Sequence, residues 1–237
     1  MLNFEFKNPT KIIFGKGEIA KLEKEIPKEK EKESVQQADS SFAENKSRYA
    51  EILDKFKEIS FDTLKVFYNY DPKYKQFLGK ELTLKETKFL PIEVTANYFG
   101  KLSGVYACYR FRIDNSKTGL IARIPGEYDA STIILCIYDR EKEEVARNYF
   151  YLAMATGDAG EVYSRTSWLY RAKNDQLRSL VYDYESYDYS VDDTLDQRVE
   201  EWHKYQLVDC MSPGFDTLTT NNTRLKKQFA HLLRNKD

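Results

Sequence analysis

Cysteine and histidine are scarce in this chain of 237 residues, which contains three cysteines and two histidines. An odd and sparse set of cysteines is not a disulfide framework. Cys136 lies in an apolar run at 133–138, which predicts a buried thiol. A bridge between Cys108 and Cys136 stays open as an alternative for an oxidising compartment.

Excess charge of one sign and long apolar runs are also missing. Lysine and arginine total 37 against 38 acidic residues, a net charge of −1. A chain with almost no net charge does not create an overall positive electrostatic potential that would attract DNA or RNA. We therefore expect no nucleic-acid partner. No apolar run approaches the roughly 20 residues that span a bilayer, and residues 1–11 lack the apolar segment of a signal peptide. We expect no transmembrane segment and, for the sequence as written, a cytoplasmic location.

Aromatic residues, in contrast, are abundant, with 18 tyrosines and 14 phenylalanines. Both residue types favour β-strands. They are dense between Tyr98 and Asp188. There, alternate positions of one run are apolar, which predicts a strand with one buried face. The apolar positions of this run are Val105, Ala107, Tyr109, Phe111 and Ile113.

Short strand-forming segments follow one another at close spacing, and the helical patterns lie mostly towards the ends of the chain. A capping box at residues 41–44 starts a predicted helix over about 42–59, and a second apolar stripe predicts a helix over about 222–234. Thr83 is expected to cap a short helix over 84–90. This order predicts an α+β, mainly β fold, an antiparallel β-meander sheet or open barrel with these two helices. The predicted strands cover 61–70, 92–99, 105–113, 118–124, 131–138, 145–155, 162–171, 177–187 and 198–209.

Changes in composition divide the chain into three parts. Residues 1–27 are predicted to form a short strand–turn–helix segment, which we call the head, and residues 28–40 a charged linker. Residues 41–237 make up the β-rich domain. Within the head, residues 15–20 (GKGEIA) formally match a dinucleotide-binding turn. That motif needs a second parallel strand ending in an acidic residue within about 30 residues. A charge run follows instead, which favours a plain strand–turn–helix.

The phrase NPTKIIFGKG at residues 8–17, with the helix that follows it, resembles the N-terminus of iron-containing alcohol dehydrogenases. The likeness covers about residues 1–27. In that family a later glycine-rich loop holds the cofactor, and one aspartate and three histidines hold the iron. This chain has only His203 and His231, so no functional residue carries over. The resemblance implies a fusion or chimeric head or, alternatively, a fragment of an NAD(P)-dependent alcohol dehydrogenase.

The rest of the chain resembles uncharacterised exported lipoproteins of Bacteroidetes-type bacteria. The segments that carry this likeness are KEKES at 30–34, GKLSGVY at 100–106 and IPGEY at 124–128. The resemblance implies a parent context in the cell envelope or outside the cell, and no activity comes with it.

Tyrosines alternate with acidic residues near the end of the tyrosine-rich region. This pattern could hold a glycan or a basic peptide, and the candidate ligand-binding residues are Tyr182, Tyr184, Tyr187, Asp188 and Tyr189. Carboxylates in one loop are also the ligands that hard cations prefer, so a metal site is a weaker alternative. Its residues would be Asp188, Asp192, Asp193 and Asp196. Their spacing fits no EF-hand loop, and the pattern is more typical of a solvated acidic loop.

No catalytic motif accompanies the remaining candidates. His203 and His231 lack an apparent partner in the sequence, and we expect them to be structural or surface residues. Trp168 alternates in phase with Val162 and Thr166, which indicates a core position. We expect no cofactor and a non-enzymatic β-rich binding or structural domain. The alternatives are the dehydrogenase fragment and a carbohydrate- or peptide-binding module that uses the tyrosine and acidic residues.

Overall fold

A computed structural model describes residues 49–68, 76–91, 104–126, 132–173, 175–192, 195–211 and 214–233. The chain divides into two units, Met1–Ser47 and Arg48–Asp237, and all the described residues belong to the second. The predicted head, the charged linker and the predicted strand at 92–99 lie outside the described residues. None of the helices within the described ranges combines the length and the apolar character needed to cross a membrane.

The structure is mainly β, as predicted, with eleven strands in the described part of the chain. The strands are β1 (Lys57–Glu58), β2 (Thr63–Val66), β3 (Lys80–Glu81), β4 (Tyr106–Arg112), β5 (Lys117–Ile124), β6 (Thr132–Asp139), β7 (Glu144–Asp158), β8 (Glu161–Arg171), β9 (Leu177–Asp188), β10 (Val199–Asp209) and β11 (Asp216–Thr219). The helices are α1 (described over residues 49–53), α2 (Leu84–Thr87), α3 (Asn222–Gln228) and α4 (Ala230–Leu233), with a 3-10 turn at Tyr189–Val191.

Strands β4 to β11 pair in chain order, and each of these pairs is antiparallel, which confirms the predicted meander. The sheet is nevertheless mixed, because β1 adds to β4 in parallel. Strand β3 also pairs with β4, and β2 pairs with the second part of β8. The sheet stays open, so of the two predicted forms the open sheet is the one observed.

The 15-residue strand β7 belongs to two parts of the sheet. It pairs with β6 up to Ala153 and with β8 from Met154 onwards. We call β1, β3–β6 and residues 144–153 the first half-sheet. The second half-sheet comprises residues 154–158, β8–β11 and β2.

Three apolar clusters show how the two half-sheets pack. The inner core combines residues of both half-sheets, for example Leu135 of β6 with Val181 of β9. The opposite face of the first half-sheet carries a second cluster with Ile52 of α1. The opposite face of the second half-sheet carries a third cluster with Leu225 of α3. The two half-sheets therefore enclose the inner core, and helices cover their outer faces. We call the face that carries the inner core the inner face.

Strand β6 shows why a continuous apolar run is needed at the centre of this arrangement. Ile133, Leu135 and Ile137 belong to the inner core, whereas Ile134 and Cys136 belong to the second cluster. Since both faces are covered, both sets of alternating side chains must be apolar. The apolar run lies within the predicted strand at 131–138, which matches β6 closely.

The apolar run in β4 does not share one buried face, so that prediction is wrong. Val105 and Ala107 belong to the second cluster, whereas Phe111 and Ile113 belong to the inner core. The pairing register with β5 shifts between Ala107 and Tyr109, which marks a β-bulge. A bulge inserts one residue into the strand and so reverses the face on which the later side chains lie.

Several element boundaries differ from the prediction. Helix α1 ends at residue 53, before the predicted 59, because the chain turns there and starts β1 at Lys57. Strand β7 continues through Asp158, beyond the predicted end of that strand at residue 155. The C-terminal helix is interrupted at Phe229 and forms α3 and α4. Strand β11 was not predicted.

Thr83 caps α2 as predicted. The N–H of Glu86 donates to Thr83 Oγ1 at 3.4 Å, and the N–H of Thr83 donates to Glu86 Oε2 at 2.6 Å. The two residues form a capping box that satisfies a backbone donor at each position. The helix ends at Thr87, three residues earlier than the predicted Leu90.

All three cysteines are free and buried. Cys136 is fully buried, as predicted from the apolar run around it. Cys108 lies in the inner core and Cys136 in the second cluster, so they occupy opposite faces of the first half-sheet. The alternative of a bridge between them is not observed.

Candidate functional site

The inner face of strands β8–β10 changes character along its length. At one end it is apolar and joins the inner core through residues such as Leu169, Val181 and Val208. Towards the other end the paired positions carry charged and aromatic side chains. Directly opposite residues share one face of a sheet, so the register places these side chains in rows. The rows are Arg165, Asp183 and Lys204, then Tyr163, Glu185 and Trp202, then Glu161, Tyr187 and Glu200.

Asp183 is the buried anchor of this polar region, with only 4% of its surface exposed. Its Oδ1 accepts a hydrogen bond from Nε of Arg165 at 2.7 Å, and its Oδ2 accepts one from Nη2 at 3.0 Å. The hydroxyl of Tyr163 donates to Oδ1 at 2.9 Å, and the amide of Gln206 donates to Oδ2 at 3.4 Å. Both carboxylate oxygens are therefore satisfied, as a buried charge requires.

The protonation of this group is set by burial and by the ion pair. Burial alone would lower the pKa of Arg165, but its hydrogen bonds and charge interaction with Asp183 outweigh this effect and raise the pKa. Burial raises the pKa of Tyr163 to about 12. At neutral pH the arginine is charged and the tyrosine keeps its proton, so the tyrosine hydroxyl donates a hydrogen bond to the carboxylate.

A pocket of about 420 Å³ lies beside this anchor, at the polar end of the inner face. Its volume falls in the range of about 300–1,000 Å³ that is typical of ligand pockets. Three carboxylates line it, those of Asp158, Glu161 and Glu185. Four aromatic side chains line it as well: Tyr163, Tyr187, Tyr189 and Trp202.

The aromatic side chains are held in place by their own contacts. The hydroxyl of Tyr187 donates to Asp192, and its ring meets the edge of Tyr189 at a centroid distance of 4.9 Å. The guanidinium of Arg198 lies 4.7 Å from the centroid of the Tyr189 ring. Trp202 is 43% exposed, so much of its indole is free to contact a ligand.

A two-residue hairpin loop brings two of the carboxylates together. Ala159 and Gly160 both have positive φ angles, 46° and 88°, as the tightest hairpin turns require. Asp158 and Glu161 flank the loop and pair directly across β7 and β8. Gly160 also packs closely on β9, where an added Cβ would lie 2.8 Å from the carbonyl oxygen of Asp188. The loop needs glycine here for both its conformation and this close approach.

The structure separates the tyrosines that the sequence grouped as one candidate site. Tyr187 and Tyr189 line the pocket. Tyr182 contacts the third cluster, on the opposite face of the second half-sheet, and Tyr184 lies near it through the two-residue repeat of β9. The carboxylate of Asp188 accepts a hydrogen bond from the N–H of Ser190 at 2.9 Å and caps the 3-10 turn.

On the outer face, the rings of Tyr182 and Tyr184 both lie beside the ring of His203. The hydroxyl of Tyr182 lies 2.8 Å from Nδ1 of His203, and the hydroxyl of Tyr184 donates to Glu201 at 2.8 Å. Burial raises the pKa of Tyr182 to about 12. Trp168 is buried in the third cluster, as predicted for a core residue.

The acidic residues of the alternative metal site have separate partners. Asp192 accepts from Tyr187, and Asp196 pairs with Arg198 at 2.6 Å. Asp193 lies outside the described residues. Within the described ranges, no group of three or more histidine, cysteine, aspartate or glutamate side chains is arranged to hold a metal ion.

Sequence reasoning missed most of the pocket. Asp158, Glu161 and Tyr163 lie close together in the chain, but Trp202 is distant from them and meets them only through the pairing of β8–β10. One signal was present: on the face of β8 opposite the buried Trp168, Leu169 is apolar, whereas the alternating residues from Ser167 to Glu161 carry polar groups. A strand that loses its apolar face in this way leaves the core at that point.

No family model matches the chain, and neither a curated protein nor a solved structure matches it. The resemblances of residues 1–27 to iron-containing alcohol dehydrogenases and of the following residues to exported lipoproteins stay predictions.

Proposed function

We propose that this chain is a non-enzymatic binding domain and that its ligand binds in the pocket at the polar end of the inner face. The observation that carries this proposal is the aromatic wall formed by Tyr187, Tyr189 and the half-exposed Trp202 beside the carboxylates. Tryptophan and tyrosine contribute strongly to binding because they offer large apolar surfaces with a polar tip.

Exposed apolar side chains near the same end of the second half-sheet support this proposal. Isolated exposed apolar residues are ordinary, but a group of them marks a surface that contacts something else. Val162 and Trp202 line the pocket, and the other exposed residues at this end are Val191, Leu195 and Val199. They lie at the starts of β8 and β10 and in the segment between β9 and β10.

The fixed positions of the rings also support binding. Asp183 holds the hydroxyl of Tyr163, Asp192 holds that of Tyr187, and Arg198 lies over Tyr189. A ligand would lose little affinity to ordering these side chains, because they are ordered before it arrives.

The chemistry of the lining fits binding better than catalysis. Among the described residues that line the pocket there is no histidine and no cysteine. The buried Arg165–Asp183 pair is satisfied by its own hydrogen bonds. Aromatic rings beside carboxylates suit a glycan, whose hydroxyls donate to the carboxylates, and equally a peptide segment.

Glycan and peptide arrays test this proposal with the full chain and three variants. We expect Tyr187→Ala and Trp202→Ala to abolish the signals of the wild-type protein. Tyr184→Ala is the matched control, because Tyr184 lies on the same strand and faces away from the pocket; it should keep the signals. An absence of any ligand, or a loss confined to Tyr184→Ala, would overturn the proposal.

Two further proposals come from the sequence alone. The resemblance of residues 8–17 supports a fragment of an NAD(P)-dependent alcohol dehydrogenase. The resemblance of residues 30–34, 100–106 and 124–128 supports an exported parent protein. Saturable NAD(P)H binding or stoichiometric iron would favour the dehydrogenase fragment over the binding domain.

A further inference from the structure

The charges that line the pocket have one sign. Asp158, Glu161 and Glu185 contribute carboxylates, and the described lining contains no lysine, arginine or histidine. The chain as a whole is nearly balanced, with a net charge of −1. The negative charge at the pocket is therefore a local feature and does not follow from the composition.

Two of these carboxylates have no counter-charge among the described residues. Asp158 and Glu161 lie directly opposite each other on β7 and β8. Like charges at directly opposite positions destabilise a sheet. The carboxylates of these two residues form no ion pair or hydrogen bond with another described residue. Glu185 has a partner, since Nζ of Lys204 lies 2.9 Å from its Oε1, but that lysine is itself exposed.

The rings beside these carboxylates are suited to cations. Aromatic faces attract ammonium and guanidinium groups within about 6 Å of the ring centroid. The chain provides an example at the same site, because Arg198 lies over Tyr189 at 4.7 Å and pairs with Asp196 at 2.6 Å. One cation is thus already held between a ring and a carboxylate next to the pocket.

From these contacts we infer that the pocket binds a cationic side chain, an ammonium or guanidinium group, of a basic peptide. The inference rests on the proposed function, that the pocket is the binding site. A neutral glycan would stack on the rings equally well, but it would leave the opposed charges of Asp158 and Glu161 uncompensated. A cation compensates both carboxylates and contacts the rings at once.

The test uses hexalysine as the probe, with hexaglutamate and the neutral glycan cellohexaose for comparison. Binding to the full chain is measured by calorimetry and by tryptophan fluorescence, which reports on Trp202 because the other tryptophan, Trp168, is buried. We expect hexalysine alone to bind, and added salt to weaken it. Tetramethylammonium chloride should compete more strongly than sodium chloride at equal ionic strength, since it also occupies the rings.

Charge-neutral variants locate the interaction. We expect Asp158→Asn and Glu161→Gln each to weaken hexalysine binding by about threefold, as for exposed ion pairs. Trp202→Ala should weaken it by about fivefold through the lost ring contact. Lys204→Met should strengthen it, because Glu185 is then free to bind the probe. Glu141→Gln is the matched control. Glu141 is an exposed residue in the turn before β7, and it is the opposite end of that strand that reaches the pocket.

The outcomes separate this inference from the proposed function. Binding of cellohexaose that Trp202→Ala abolishes, without binding of hexalysine, would overturn the cation inference and leave the proposed function standing. Hexalysine binding that falls equally in Glu141→Gln and in the pocket variants would show general charge attraction and overturn the inference. A failure of all three probes and of the arrays would overturn both.

Discussion

Asp183 and Arg165 lie directly opposite each other on β9 and β8, and the guanidinium donates to both oxygens of the carboxylate, at 2.7 and 3.0 Å. The pair stands where the inner face changes from apolar to polar. On one side of it, Ser167 and Val181 are buried with the core, and on the other side Tyr163 lines the pocket. The ion pair thus joins the stability of the second half-sheet to the geometry of the candidate site.

Asp183→Asn should lower the free energy of unfolding by about 2–4 kcal/mol, because it leaves the largely buried Arg165 without its counter-charge. Urea denaturation measures this loss. Glu185→Gln, on the same strand but more exposed, should change stability by less than about 0.5 kcal/mol. The double variant Arg165→Met, Asp183→Leu should be more stable than Asp183→Asn, since neither charge stays buried. A cost below about 1 kcal/mol for Asp183→Asn would contradict the anchoring role.

Ser179→Ala should stabilise the protein. The hydroxyls of Ser179 and Ser167 are fully buried and find no hydrogen-bond partner among the described residues. Burying a hydroxyl without a partner costs free energy, so removing that of Ser179 should raise the free energy of unfolding by about 0.5–1 kcal/mol. Ser164→Ala, at a half-buried position of β8, is the control and should be nearly neutral. A destabilised Ser179→Ala would mean that the hydroxyl has a partner.

Gly119→Ala should destabilise the first half-sheet. Gly119 pairs with Phe111 across β5 and β4, and the phenylalanine ring covers it so closely that an added Cβ would lie 2.3 Å from Cζ. The ring must move within a packed core, at a cost of about 1–3 kcal/mol. Thermal unfolding is measured for Gly119→Ala, for Phe111→Leu and for the variant that carries both substitutions. Together with the wild type, these form a double-mutant cycle. The smaller leucine should recover part of the loss, and strictly additive effects would contradict this contact.

The three thiols should be unreactive in the native protein. Burial raises the pKa of Cys108 and Cys136 to about 12, and it raises that of Cys210 as well. Since the thiolate is the reactive form, a disulfide reagent at pH 8 should modify none of them in the native state and all three in guanidinium. Rapid modification of a native thiol would show that it is accessible.

Stability should fall in alkaline solution. The folded-state pKa of Cys136 lies above its ordinary value of 9.0, so its contribution is complete below about pH 9 and is lost as pH rises towards 12. Tyr163 and Tyr182, raised from 10.0 to about 12, act in the same direction. Urea curves at pH 8 and pH 10.5 measure the loss. Cys136→Val should show a smaller difference between the two pH values, and an equal difference would contradict the assignment.

Local patterns predicted the elements that depend on local interactions. The capping box at Thr83 acts within one turn of helix, and the apolar stripe of the C-terminal helix acts within a few turns. The strands at 162–171 and 177–187, which correspond to β8 and β9, were likewise predicted from patterns of neighbouring residues. Strand β11 was missed because its short segment, with Leu218 47% exposed, carries no apolar alternation.

The sequence by itself determined that this protein is mainly β, that its strands follow one another as a meander, and that a helix closes its C-terminal end. Only the tertiary structure decided which face each strand buries, as the bulge after Ala107 shows. It also decided that Tyr187 and Trp202 meet at one pocket while Tyr184 faces away from it. The physical reason is that periodicity is a property of neighbouring residues. The choice of face and partner depends instead on pairing between strands that are distant in the chain.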